Sequence, residues 1–218
     1  FGEKREVATT TELIEKNYLS EFRIKAIVLK HEEQARELLK KATYKEELHW
    51  LVQVPKRNKF IRNLALSLKG NTLILYQFVE KQGKPLYEDI VAGADDQRKV
   101  FFIHGKVDGE DRNDVRYIVE QEDDSIIVAS YGTFSTGINI PRIHNVIFAS
   151  PFKSKIRALQ SIGRVLRKGE NKNKATLFDI ADDLTWKSRK NHGINHFMER
   201  VAIYDEQKFD YKIYTVSI

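Results

Sequence analysis

The sequence predicts an α/β fold in which a parallel β-sheet is covered by helices on both faces. Two observations predict it. Short apolar runs recur at Thr72–Gln77, Lys99–His104, Ser125–Ser130, Asn145–Ser150 and Ala175–Ile180. Stretches with helical spacing fall between them, around Glu80–Ala92, Glu110–Glu120 and Lys155–Arg167. Apolar strands joined by amphipathic helices build a parallel sheet, because each crossover must carry the chain back past the sheet and covers a face as it does so. In such sheets ligands sit beyond the carboxyl ends of the strands. The segments after Gln77, His104, Ser130 and Ser150 are therefore expected along one functional edge.

The elements before this core follow the same reasoning. Thr9, Thr10 and Thr11 precede Glu12-Leu13-Ile14-Glu15, the pattern of a capped helical turn, and Phe22, Ile24, Ala26 and Val28 then alternate as in a strand. Glu32–Lys41 and Tyr44–Gln53 are helix-like. After Pro55 the positions Phe60, Ile61, Leu64, Ala65 and Leu68 recur at helical spacing until Lys69-Gly70-Asn71 stops the helix. No repeat, low-complexity tract or Ser/Gly/Pro linker interrupts the chain. Residues 1–69 are thus expected as a leading strand and helices, and 70–218 as the core, in one compact unit.

Composition narrows the chemistry. The 218 residues are 41% hydrophobic and 31% charged, enough to build a core and too charged for a membrane protein. No apolar run approaches the roughly 18 residues of a membrane span, and no secretory signal is evident, so a cytoplasmic location is expected. With no cysteine there is no disulfide framework, zinc ribbon, iron–sulfur site or thiol nucleophile. Lys+Arg 37 against Asp+Glu 31 leaves +6, which favours a polyanionic partner without establishing one. The chain starts at Phe1 and its only methionine is Met198, so a longer parent protein is expected.

The most informative stretch is Gln160-Ser161-Ile162-Gly163-Arg164-Val165-Leu166-Arg167. On a helix Gln160, Arg164 and Arg167 stand at i, i+4 and i+7, one amide and two guanidinium groups on one face, with Leu159, Ile162, Val165 and Leu166 opposite. Paired guanidinium forks suit polyphosphate oxygens, above all the charge that develops on a departing γ-phosphoryl group. Alone, an R-x-x-R is better explained by a solvated helix face. A second stretch, Ala129–Pro141, gathers five hydroxyl residues and two glycines behind the strand Ile126-Ile127-Val128. Hydroxyls and backbone N–H groups there can grip the phosphates of a nucleotide or a nucleic-acid backbone, although such a loop alone is more often only a turn.

Together these stretches resemble motifs V and VI of superfamily 2 helicases. Gln160-x-x-Gly163-Arg164-x-x-Arg167 matches the family's Q-x-x-G-R-x-x-R, and Thr136-Gly137-Ile138-Asn139-Ile140-Pro141 is similar to its T-G-[ILV]-[DN]-[ILV]-P. Thr72–Phe78 resembles motif IV, and Ile103-His104-Gly105 with Arg112 resembles the adjoining H-G…R element. The resemblance implies the second of two RecA-like domains, a P-loop-NTPase-like fold here without the P-loop, with ATP held in the cleft against the first. Arg164 and Arg167 would reach the γ-phosphate, Gln160 would couple nucleotide state to closure, and Gly137 with Asn139 would border the nucleotide. Gln77, Gly105, Arg112, Ser130, Thr133 and Thr136 would contact nucleic acid or couple it to ATP. Asn139 replaces the commoner aspartate, and Ser130-Tyr131 stands where many relatives carry Ala-Thr.

Val128–Gly132, Ser135–Ile138, Lys153–Ile156 and Ile162–Lys168, with an opening Thr-Thr-x-Leu, are further similar to the phage recombination DNA helicases. That similarity implies ATP-driven remodelling of branched DNA, namely forks, Holliday junctions and R-loops, in recombination, replication and repair. No G-x-x-x-x-G-K-[ST] occurs, so ATP and Mg²⁺ are expected mainly on an upstream lobe, and this piece alone is not expected to hydrolyse ATP. The implied partners are branched or single-stranded DNA and that lobe. A catalytically inactive nucleic-acid-binding module and an RNA helicase are the alternatives.

Other patterns carry less. His192 and His196 have the spacing of zinc ligands, but Gly193 takes the place of the required glutamate, and no metal is expected. Asp205-Glu206 imitates a magnesium-holding acidic pair and is read as surface charge. Asp108-Gly109-Glu110-Asp111 lacks calcium-loop periodicity and reads as a helix start.

Overall fold

The structure is a computed structural model, and it describes residues 21–105, 117, 119, 121–135, 142–151 and 174–218. Seven parallel strands form one sheet in the order β3-β4-β2-β5-β6-β1-β7. The elements in chain order begin with β1 (Glu21–Lys30), α1 (Glu33–Leu38), α2 (Tyr44–Leu51), α3 (Pro55–Ser67) and β2 (Thr72–Tyr76). A π-helical turn (Val79–Gly83) runs directly into α4 (Lys84–Val91), followed by β3 (Val100–Ile103), β4 (Ile126–Ser130), α5 (Tyr131–Ser135) and β5 (Asn145–Phe148). The chain closes with β6 (Lys174–Asp183), α6 (His192–Glu206) and β7 (Asp210–Ser217).

The central strands are apolar throughout because both of their faces are covered. Successive residues of β2 feed opposite layers. Leu73 and Leu75 pack with Ile127, Val146, Phe148 and Leu177 beneath α6, which contributes Phe197, Val201 and Tyr204. Ile74 and Tyr76 join Ile126, Val128 and Ile147 beneath Ile61 and Ala65 of α3 and Leu86 and Ile90 of α4. Each Val, Leu, Ile or Phe among them, when fully buried, contributes about 1.5–3 kcal/mol.

Local signals set the boundaries. Thr43 and Glu46 form a reciprocal capping box that starts α2, and Pro55 opens α3. Gly70 stops the chain after α3 at φ +84°, and a Cβ there would stand 2.9 Å from the His144 ring, so glycine is required on both counts. Asn71, fully buried, then clamps the amino edge. Its Oδ1 accepts from the backbone N–H and hydroxyl of Ser125, both at 2.8 Å, and its Nδ2 donates to the carbonyls of Val119 and Glu122.

Three elements differ from the sequence expectation. β1 lies inside the sheet, paired to β6 and β7, so Ile24, Ala26, Ile27 and Leu29 are all buried and no single face alternates. β7 is an additional edge strand. The expected helix at Glu80–Ala92 is a π turn followed by an α-helix. The helices expected at Glu12–Glu15 and Lys155–Arg167 lie outside the described residues, as does most of Glu110–Glu120. No helix of the described residues is long and apolar enough to cross a membrane.

Candidate nucleotide and nucleic-acid edge

All strands run the same way, so their carboxyl ends share one edge, where the segments after β2, β3, β4 and β5 meet. Gln77 follows β2 and is exposed; Gly105 follows β3 and is also exposed. Among the described residues, a Cβ at Gly105 or Gly132 would meet nothing within 4 Å, which leaves the backbone there open to approach by a phosphate on that side. Ser130 ends β4 half-buried. Its Oγ accepts from the Thr133 backbone N–H at 3.2 Å and pairs with the Thr133 hydroxyl at 2.7 Å, starting α5 in the manner of a helix cap. Thr133 is 4% exposed. Arg112, Thr136, Gly137, Asn139, Gln160, Arg164 and Arg167 lie outside the described residues.

Beneath this edge runs a buried polar network that sequence reasoning missed. The Ser150 hydroxyl, at the exit of β5, accepts from the Gln77 backbone N–H at 3.0 Å and donates to Gln82 Oε1. Gln82 Nε2 in turn donates to the Ala149 carbonyl at 3.0 Å. The π turn makes this possible, since one extra residue per turn swings Gln82 inward until it is fully buried. The Tyr131 hydroxyl donates to the Ser150 carbonyl at 3.2 Å, and the Tyr44 hydroxyl to the Pro151 carbonyl at 3.4 Å. Burial pushes Tyr131 well above its ordinary pKa, and burial with the Glu47 charge raises Tyr44, so both remain protonated donors at neutral pH. The exits of β2, β4 and β5 are thereby tied together immediately before residue 152. No sequence signal marks Gln82, which stands in what reads as an ordinary helix.

The strand β6 carries two buried acids on opposite faces. Asp179 accepts from Arg200 Nε and Nη2 at 2.8 and 2.9 Å and from the Tyr204 hydroxyl at 2.8 Å. Asp182 accepts from Arg57 Nε and from His31 Nε2. Burial opposes its charge, but Arg57 and the hydrogen bonds from His31 and Arg57 prevail and hold the carboxyl below its ordinary value. Both clusters are buried ion pairs that fasten α6 and α3 to the sheet. His196 packs edge-on against Tyr44, and Asp205 and Glu206 are exposed at the end of α6.

Residues 55–169 match the family described as "Helicase conserved C-terminal domain". The chain belongs to that family. This helicase C-terminal domain is 36% identical over 231 aligned residues to the "ATP-dependent DNA helicase uvsW" of Enterobacteria phage T4, covering 100% of this chain and 45% of that protein. The chain thus spans about half the length of the curated relative it matches. The crystal structure of T4 UvsW superposes with a TM-score of 0.79 at 34% identity, over 91% of this chain and 42% of that one. The C-terminal domain of the DEAD-box protein Dbp5 shares the fold, with a TM-score of 0.55 at 13% identity over 93% of this chain and 92% of that chain. The fold is the RecA-like one of superfamily 2 helicase C-terminal domains.

Proposed function

We propose that this domain is the C-terminal motor lobe of an ATP-dependent DNA helicase or translocase that remodels branched DNA, including forks, Holliday junctions and R-loops, in phage recombination, replication and repair. The observation that carries the reading is the 36% identity to the T4 DNA helicase across the whole of this chain. ATP with Mg²⁺ binds chiefly to an upstream RecA-like lobe. Arg164 and Arg167 reach across the cleft to the γ-phosphate, Gln160 reports its presence, and Gly137 and Asn139 border the nucleotide. Gln77, Gly105 and Arg112 meet the DNA strand, and Ser130, Thr133 and Thr136 contact its backbone or couple it to ATP.

Two features of the described edge support the division of labour. Among the described residues nothing crowds Gly105 or Gly132, so a phosphate-bearing ligand can approach the backbone there. The Gln82–Ser150–Tyr131 network ties the exits of β2 and β4 to the exit of β5, so that force on one loop reaches the others. The test is ATP turnover and strand displacement by the complete protein on forked, four-way, linear duplex, single-stranded and RNA substrates. Turnover stimulated by DNA with displacement of forked or four-way DNA is expected; no ATP turnover with any of them would refute the motor reading.

A further inference from the structure

A second surface lies on the same edge, beyond β6 and β1. After β6 the chain makes a tight hairpin in which Trp186 and Arg189 exchange backbone hydrogen bonds at 3.1 and 3.0 Å. Its tip holds Lys187 at φ +53°, a conformation a lysine adopts only when its surroundings impose it. The base is stapled by Asn191, whose Oδ1 accepts from the Leu184 N–H at 3.0 Å while its Nδ2 donates to Glu47 Oε1 and the Asp182 carbonyl. Arg189 donates to the Lys40 carbonyl, and Lys40 Nζ stands 5.8 Å from the centre of the Trp186 ring. The hairpin and the α1–α2 connection therefore form one rigid surface around a hollow of about 170 Å³.

That surface is cationic. Residues 37–47 and 184–192 carry Lys40, Lys41, Lys45, Lys187, Arg189 and Lys190, all exposed, against two exposed carboxylates, Glu37 and Glu46. Glu37 pairs with Lys40 and Glu46 is engaged in the cap of α2. The amino end of α6 contributes nothing to anion binding, because the buried Glu47 carboxylate already accepts from the N–H groups of His192 and Gly193 at 3.0 and 2.7 Å. Single strands are held by charge together with open aromatic platforms. Here neither large ring is an open platform: Trp186 is half-buried and faced by Lys40, and Tyr44 is half-buried with its ring against His196, which leaves the cations to meet a ligand. Cations without a stacking platform suit the phosphates of a duplex.

We propose that the Trp186–Arg189 hairpin and the Lys40–Lys45 connection dock the backbone of a DNA duplex arm, beside the edge that meets the translocated strand. The inference rests on the reading that this domain acts on DNA. Its test uses the complete protein carrying Lys187→Asn with Lys190→Gln; asparagine tolerates the left-handed backbone, so the hairpin is preserved. Affinity for a blunt 20-base-pair duplex and for a single strand of equal length is measured by fluorescence anisotropy across a salt series. Duplex affinity should fall roughly 5–10-fold near 0.1 M salt, and the slope of log K against log salt should shrink by about 2. Single-strand affinity should hold, as should duplex affinity in Lys69→Gln with Lys99→Gln, two exposed lysines on the opposite edge. Unchanged duplex affinity and slope, an equal loss on the single strand, or an equal loss in the opposite-edge variant would each overturn the proposal. Absence of ATP turnover in the parent protein would sink the motor reading and leave the duplex measurement standing.

Discussion

Arg57 Nε lies 2.8 and 3.0 Å from the two carboxylate oxygens of Asp182, and neither side chain reaches solvent. The pair joins the first turn of α3 to the carboxyl end of β6. Arg57 Nη1 and Nη2 are buried without a hydrogen-bond partner among the described residues, so Asp182 is the main compensation for a charge removed from water.

Replacing Arg57 by methionine is expected to cost about 3–5 kcal/mol at pH 7, because it leaves the buried Asp182 carboxylate with His31 as its remaining side-chain partner among the described residues. The pH dependence has a definite sign. The folded pKa of Asp182 is depressed, so its stabilising contribution is complete above the unfolded value of about 3.9 and is lost as pH falls through the folded value. Without Arg57 the burial effect gains weight and moves the folded value up. Urea unfolding at pH 7 and pH 4 should therefore show a smaller penalty for Arg57→Met at the lower pH.

Gly83 ends the π turn against the face of Tyr76, and a Cβ there would stand 2.4 Å from the ring. Tyr76 cannot retreat, being fully buried, stacked on Phe102 and hydrogen-bonded to the Ile103 carbonyl. Gly83→Ala should destabilise by about 1–3 kcal/mol. Gly132→Ala, whose Cβ meets nothing within 4 Å among the described residues, should stay within about 0.5 kcal/mol of the parent. Thermal unfolding of the two variants side by side checks the contrast.

Gln82→Met keeps the side-chain volume but leaves the Ala149 carbonyl and the Ser150 hydroxyl without their amide partner. A loss of about 1–3 kcal/mol is expected in denaturant unfolding. Hydrogen exchange should report faster opening at the Gln77 amide, which this network holds, and little change at Asn71 on the opposite edge.

Much of the fold was legible because burial on both faces writes itself as uninterrupted apolar runs. Leu73-Ile74-Leu75 and Val146-Ile147-Phe148 could hardly be anything but central strands. β7 escaped because an edge strand has no such imprint: Ile213 and Tyr214 are adjacent and both largely exposed. The π turn escaped because Leu86 and Ile90 carry ordinary helical spacing while the extra residue upstream leaves no periodic trace. At the candidate site, Ser130 and Thr133 were legible as hydroxyls at a strand end. That they bond each other, and that Tyr131 reaches Ser150, depends on strand order, which no local pattern encodes.

In the proposed motor the decisive role is that of Arg167 on the terminal phosphate of ATP held by a neighbouring lobe. It is tested most directly by steady-state ATP turnover of Arg167→Ala in the complete protein, with DNA present and thermal unfolding measured in parallel. A fall on the order of 10³-fold in a variant that unfolds like the parent is the predicted result. Parental turnover in that folded variant would contradict it.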